Sequence, residues 1–130
     1  MKKYIAIVFM ATAALMIAGC SSTSTATNLD AAAFSAKTAE AGVITLDVRT
    51  PGEFMVGHIQ GAINVDVEGT QFETEIAKLD KSATYAVYCH SGRRSAIAVE
   101  TLHHNGCNNL FNLTNGIVDW QANNLPVVTS

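Results

Sequence analysis

Four short apolar runs punctuate this chain: "VITLDV" (43–48), "AINVDV" (62–67), "YAVYC" (85–89) and "NLFNL" (109–113). Each is nearly continuous in apolar character, the pattern of strands covered on both faces. Helical spacing fills the gaps. Asp30 suits an N-cap for "AAAFSAKTAEAG", with Gly42 as its stop. Pro51 suits a first helical position, Glu53 falls in that first turn and Gly57 closes a very short helix. Phe72, Ile76 and Leu79 recur at helical intervals. "SAIAVETLHHNG" predicts a helix ending at Gly106, with Ile97 and Leu102 as core contacts, and "NGIVDWQANNLP" a short last one. Strands alternating with helices place the chain in the α/β class: a mainly parallel central sheet with helices on both faces, joined by right-handed crossovers. Reactive crevices in such sheets lie beyond the carboxyl ends of the strands. Asp47 and Cys89 both sit at such ends.

With 130 residues the chain suffices for one such domain and no more. Its first nineteen residues have the layout of a secretory leader: two lysines, an apolar stretch from Tyr4 to Ala18, then small residues. Ile17-Ala18-Gly19-Cys20 resembles a bacterial lipobox, with Ile in place of the usual Leu. The resemblance implies cleavage before Cys20 and lipid on its sulfur, a membrane anchor facing the periplasm or another extracytoplasmic space. Residues 1–19 are therefore expected to be leader, 20–28 ("CSSTSTATN") a lipidated flexible tether, and 29–130 the folded domain. Losing Lys2 and Lys3 leaves six basic against eleven acidic side chains, a net charge of −5. That balance argues against a nucleic-acid or anionic-membrane surface.

With Cys20 lipidated, Cys89 and Cys107 remain. Two cysteines make no disulfide framework, and a free thiol in an oxidising compartment suggests a task. The stretch "CHSGRRS" places Cys89 before His90, Ser91, Gly92, Arg93, Arg94 and Ser95. A thiol attacks as thiolate, and its pKa falls near positive charge and at a helix N-terminus. Gly92 lets the loop fold back, Ser95 is expected to cap the following helix, and successive loop N–H groups form an anion-binding nest. These features read as a nucleophile with an anion cradle; the plainer alternative is a buried structural cysteine beside solvated arginines. Cys107 reads as a small buried apolar residue, although a Cys89–Cys107 redox pair stays open. Asp47 is expected to anchor loop backbone or Arg94, and Arg49 and Glu53 stand four residues apart and are expected to pair. His58 is a candidate base, His103 and His104 read as solvated, and Trp120 as core. No ligand spacing for a metal is present.

"CHSGRRS" resembles the active loop of single-domain rhodaneses, Cys-Arg-x-Gly-x-Arg-Ser. "LDVRTPGEFMVGHIQGAINV" resembles that family's signature around Asp-Val-Arg and Gly-His-Ile, and "NLTNGIVDWQANNLPV" its closing Gly-Gly…Trp…Gly-x-Pro segment. The departures are His90 for Arg, and Asn115 and Asn124 for glycines. The resemblance implies a rhodanese-like fold, with His58 ordering the signature turn rather than acting as a base, and a monomeric sulfurtransferase. Cys89 takes a sulfane sulfur from a small anionic donor such as thiosulfate and passes it from a persulfide to cyanide or a thiol. Loop N–H groups and Arg94 stabilise the anions, with no metal or organic cofactor. Related phosphatases use Cys-x5-Arg, whereas Arg94 here arrives one residue early, which points to sulfur rather than phosphate. The rival readings are a catalytically idle binding module and a thiol redox protein.

Overall fold

The structure, a computed structural model, describes residues 25–129; the leader, Cys20 and the start of the tether lie outside the described residues. Along the chain run β1 (Thr27–Leu29), α1 (Ala31–Thr38), β2 (Val43–Asp47), α2 (Pro51–Val56), β3 (Ile63–Asn64), α3 (Phe72–Ala77), β4 (Thr84–Tyr88), α4 (Arg93–His104), β5 (Asn109–Leu113) and α5 (Gly116–Ala122). The strands form one sheet in the order β1-β5-β4-β2-β3, and every neighbouring pair is parallel. This is the expected α/β architecture. Among the described residues no helix is long and apolar enough to cross a membrane.

Alternation along β4 explains the two layers of helices. Tyr85 and Val87 point to one face, where Phe72 and Ile76 of α3 and Ala98, Val99 and Leu102 of α4 cover them. Ala86 and Tyr88 point to the other, against Ala31 and Phe34 of α1 and Ile117 and Trp120 of α5. Phe34 meets Tyr88 and Trp120 edge-on at 6.2 and 6.4 Å between ring centres, a favoured aromatic geometry. Trp120 is core, and its indole N–H donates to the Pro126 carbonyl at 2.9 Å. Each fully buried aliphatic or aromatic side chain contributes about 1.5–3 kcal/mol, and the central strand has such a partner on both faces. Asp30 caps α1, its carboxylate accepting from the Ala33 N–H at 2.8 Å. Thr50 caps α2, with Pro51 just inside it.

Four local expectations change. The sheet begins inside the stretch read as tether, because Thr27 and Asn28 pair in parallel with Phe111 and Asn112 at its edge. Their polarity suits an exposed edge strand. Of 62–67, only Ile63 and Asn64 form a regular ladder. Beyond them the Val65 N–H still reaches the Asp47 carbonyl and Val67 the Val48 carbonyl, but β2 has already ended and the pairing becomes irregular. Helix α1 stops at Thr38, before Gly42. Helix α4 starts at Arg93, so Ser95, Ala98, Val99 and Leu102 form its buried stripe and Ile97 is 55% exposed.

Candidate active site

Cys89 directly follows β4, at the carboxyl edge of the sheet, and is only 1% exposed. The chain turns through exposed His90 and Ser91 to Gly92 and enters α4. The Gly92 N–H donates to Cys89 Sγ at 3.1 Å. Ser95 Oγ lies 3.4 Å from Sγ and 3.1 Å from the Gly92 carbonyl oxygen. Ser95 is therefore not the N-cap; Gly92 holds that place, and Ser95 sits one turn in, facing the sulfur. A hydroxyl has one proton and two acceptor pairs. With a neutral thiol, S–H donates to Ser95 and Ser95 donates to the Gly92 carbonyl; with a thiolate, the hydroxyl turns to the sulfur. Burial pushes the Cys89 thiol up, but hydrogen bonds from the Ser95 hydroxyl and from the N–H groups of Ser95, Gly92 and Ser91 outweigh it and hold the thiol below its ordinary value.

The turn after β5 clamps this loop. Ile117 N–H donates to the Cys89 carbonyl at 2.9 Å and Val118 N–H to the His90 carbonyl at 3.2 Å. Two glycines allow the close approach. Gly92 has φ +105°, and a Cβ there would stand 1.9 Å from the Thr114 carbonyl oxygen; at Gly116, with φ +68°, it would stand 2.2 Å from that of His90. Sequence reasoning missed Thr114 and Gly116 as parts of the site; the Asn-Gly pair at 115–116 was the available signal. The two asparagines that replace family glycines are also accounted for. Asn115 has φ −106° and needs no glycine. Asn124 has φ +56°, a region that asparagine tolerates better than most residues.

The charged residues pair differently from the expectation. Arg94 does not stand free for an anion: it makes a two-pronged ion pair with Glu53, and Glu68 stands 3.9 Å away. Arg49 precedes α2 rather than lying on its face, so the four-residue interval does not bring it to Glu53. It turns back onto Asp47, with Nη2–Oδ2 at 2.6 Å, and also donates to the Gly57 carbonyl at 2.7 Å. Asp47 thus anchors loop backbone, accepting the Arg49 N–H at 2.9 Å, but its guanidinium partner is Arg49 rather than Arg94. Among the described residues Arg93 has no carboxylate at ion-pair distance, and it is exposed. Its charge is available at the loop.

His58 is buried, stacked on Phe54 at 3.7 Å, with Nδ1 2.9 Å from the Phe54 carbonyl oxygen. Its backbone bridges to Val128, so it orders the chain beside α2. Cys107 is buried in the core and unbridged, and burial, with Asp80 nearby, keeps its thiol above the ordinary value despite Lys81. It lies before β5, at the amino end of the sheet, whereas Cys89 follows β4 at the carboxyl end. The five residues of β4, at about 3.3 Å each, separate the two ends. A disulfide needs Cα atoms within about 7 Å, so this fold does not support a Cys89–Cys107 bridge. Among the described residues no cluster of His, Cys, Asp or Glu is arranged to hold a metal ion.

A parallel α/β sheet with a buried cysteine in an N–H-lined loop at its carboxyl edge defines a class of domains. The chain's place within it is specific: residues 30–123 match the model of the rhodanese-like domain, and the protein belongs to that family. It is similar to the thiosulfate sulfurtransferase PspE of Escherichia coli, 37% identical over 67 residues, covering 52% of this chain and 64% of that protein. It also resembles the uncharacterized protein YqhL of Bacillus subtilis, 37% identical over 75 residues, covering 58% of each. The chain thus spans less than two thirds of the length of these two relatives. A crystal structure of a rhodanese-related protein from Thermoplasma volcanium superimposes with a TM-score of 0.71 at 32% identity, covering 80% of this chain and 99% of that one.

Proposed function

We propose that this protein is a sulfurtransferase that carries a sulfane sulfur on Cys89 from a small anionic donor such as thiosulfate to cyanide or a thiol. The Cys89 thiolate attacks the outer sulfur of thiosulfate. The new S–S bond forms as the old one breaks, and its electron pair leaves with sulfite. Cyanide then takes the outer sulfur as thiocyanate and returns the electron pair to Sγ. The observation that carries this reading is the Gly92 N–H aimed at Sγ at 3.1 Å, which with the N–H groups of Ser91 and Ser95 favours a thiolate, and exposed Arg93 adds positive charge to the same loop. The burial of Cys89 favours a narrow donor that reaches the sulfur end-on. The name of the Escherichia coli relative agrees with thiosulfate as donor. The lipobox-like Ile17-Ala18-Gly19-Cys20 supports a lipid-anchored place at the extracytoplasmic face of a bacterial envelope.

A steady-state assay with thiosulfate and cyanide tests the activity. Thiocyanate formation with parallel double-reciprocal lines is expected. No thiocyanate above the enzyme-free rate would contradict the reading.

A further inference from the structure

Two hollows adjoin the loop that carries Cys89. One, of about 460 Å³, has Ser91, Arg93, Arg94 and the Glu68 carboxylate as its polar lining, beside Val67 and Ile97. The other, of about 340 Å³, has apolar walls from Val56, Ile117 and Val127, with His90 and Gln121 among its polar groups. The Glu53–Arg94 ion pair stands between them: Arg94 lines the first and Glu53 the second. We propose that the apolar hollow is an acceptor site distinct from the anion-binding one, and that it selects a small organic thiol with an uncharged body. This rests on the sulfurtransferase reading above.

Charge, shape and reach each support it. The charged side chains Arg49 and Glu53 that line the apolar hollow are already neutralised, Arg49 by Asp47 and Glu53 by Arg94. An anionic body gains no unpaired arginine there, whereas the polar hollow offers Arg93. The volume suits a small organic molecule. Val56 is 81% exposed, an apolar side chain at the rim with no cover of its own. The hollow adjoins the loop that carries the nucleophile: His90, the residue after Cys89, lines it, and Ile117 in its wall donates its N–H to the Cys89 carbonyl at 2.9 Å. Reach separates the two half-reactions. A donor must touch buried Sγ, but the persulfide carries its outer sulfur about 2 Å beyond Sγ, so the acceptor need not be as narrow. The acceptor loses its thiol proton to solvent, and its thiolate attacks the outer sulfur of Cys89–S–SH. The new S–S bond forms as the bond to Sγ breaks, and the electron pair returns to Sγ, giving the organic persulfide and the Cys89 thiolate.

The test compares 1-propanethiol with the similarly sized anion 2-mercaptoethanesulfonate as acceptors, using thiosulfate as donor and cyanide as a control. In the parent protein kcat/KM for propanethiol should exceed that for the anion by about tenfold, the scale on which a pocket discriminates one small group. Val56→Asp should lower kcat/KM for propanethiol by about tenfold. Gln121→Lys should raise it severalfold for the anionic thiol. Both should leave cyanide turnover and the thiosulfate KM within about twofold, which also shows that the variants fold. Equal use of the two thiols by the parent, or parallel shifts of thiols and cyanide in the variants, would overturn the acceptor site while leaving the sulfurtransferase reading intact. No thiocyanate from the parent would overturn both.

Discussion

Arg94 and Glu53 face each other in register, Nη1 to Oε1 at 2.8 Å and Nη2 to Oε2 at 2.9 Å, tying the first turn of α4 to α2. Arg94 is thereby paired, although it still interacts with the Cys89 thiol, whereas Arg93 is exposed with no carboxylate at ion-pair distance among the described residues. Arg93→Ala should raise the thiosulfate KM by about five- to tenfold, the worth of one charged contact in a partly solvated site. Glu53→Gln frees Arg94 and should lower that KM. Initial rates across thiosulfate concentrations read both, and an Arg93→Ala protein with parental KM would return the donor's charge partner to Arg94.

Acid should weaken this tie. The Arg94 hydrogen bonds bring the Glu53 carboxyl down to about 2, against a smaller upward push from burial. Its folded pKa lies below its unfolded one, so the pair's stabilisation is present above the unfolded value and is lost as pH falls toward about 2. With the Glu53 side chain 34% exposed, solvent screening limits the gain to about 1 kcal/mol. Urea unfolding at pH 6 should show the parent more stable than Glu53→Gln, with the gap closing near pH 2.5. A gap that persists at low pH would assign the difference to packing.

Gly92→Ala and Gly116→Ala should each lose transfer activity and about 1–3 kcal/mol of stability, since both φ values are positive and a Cβ would strike a carbonyl oxygen. Gly42→Ala is the control. Gly42 also has positive φ, but open space surrounds it. It should lose about 1 kcal/mol and keep its activity. Thermal unfolding beside the thiosulfate assay separates the cases. Full activity in Gly92→Ala would mean that the loop's approach to Thr114 is dispensable.

Asp47 is 0% and Arg49 4% exposed, and removing the carboxylate strands a buried guanidinium. Asp47→Ala should cost about 3–5 kcal/mol, and the double change Asp47→Leu with Arg49→Met should recover much of that. Chemical denaturation of the three proteins gives the comparison. A double variant no better than the single one would show that Arg49 acts mainly through the Gly57 carbonyl.

The central strands were legible because β2, β4 and β5 are buried on both faces and read as apolar runs, "NLFNL" to the residue. The edges were not. Polar Thr27 and Asn28 join the sheet through backbone pairing alone, which leaves no apolar signature, and β3 shortens because its neighbour ends. Within the site, the chain order placed Cys89 at a strand end and Gly92 in a folded-back loop. It did not give the pairing of charges. Arg49 and Glu53 stand four apart, yet the helix that would make such neighbours begins only at Pro51. Ser95 was read as a cap because the cap was placed three residues late, at Ser95 rather than Gly92, and that shift sets its hydroxyl inside the first turn, between the Gly92 carbonyl and the sulfur.

Intact mass after exposure to thiosulfate tests the placement of the nucleophile most directly. The parent and Cys107→Ser should each gain one sulfur atom that cyanide removes, and Cys89→Ser should gain none while remaining folded. The Ser95 and Gly92 contacts that hold the Cys89 thiol low support this outcome, as does the buried, raised-pKa thiol of Cys107. An added, cyanide-labile sulfur on Cys89→Ser, or its loss in Cys107→Ser, would contradict the account.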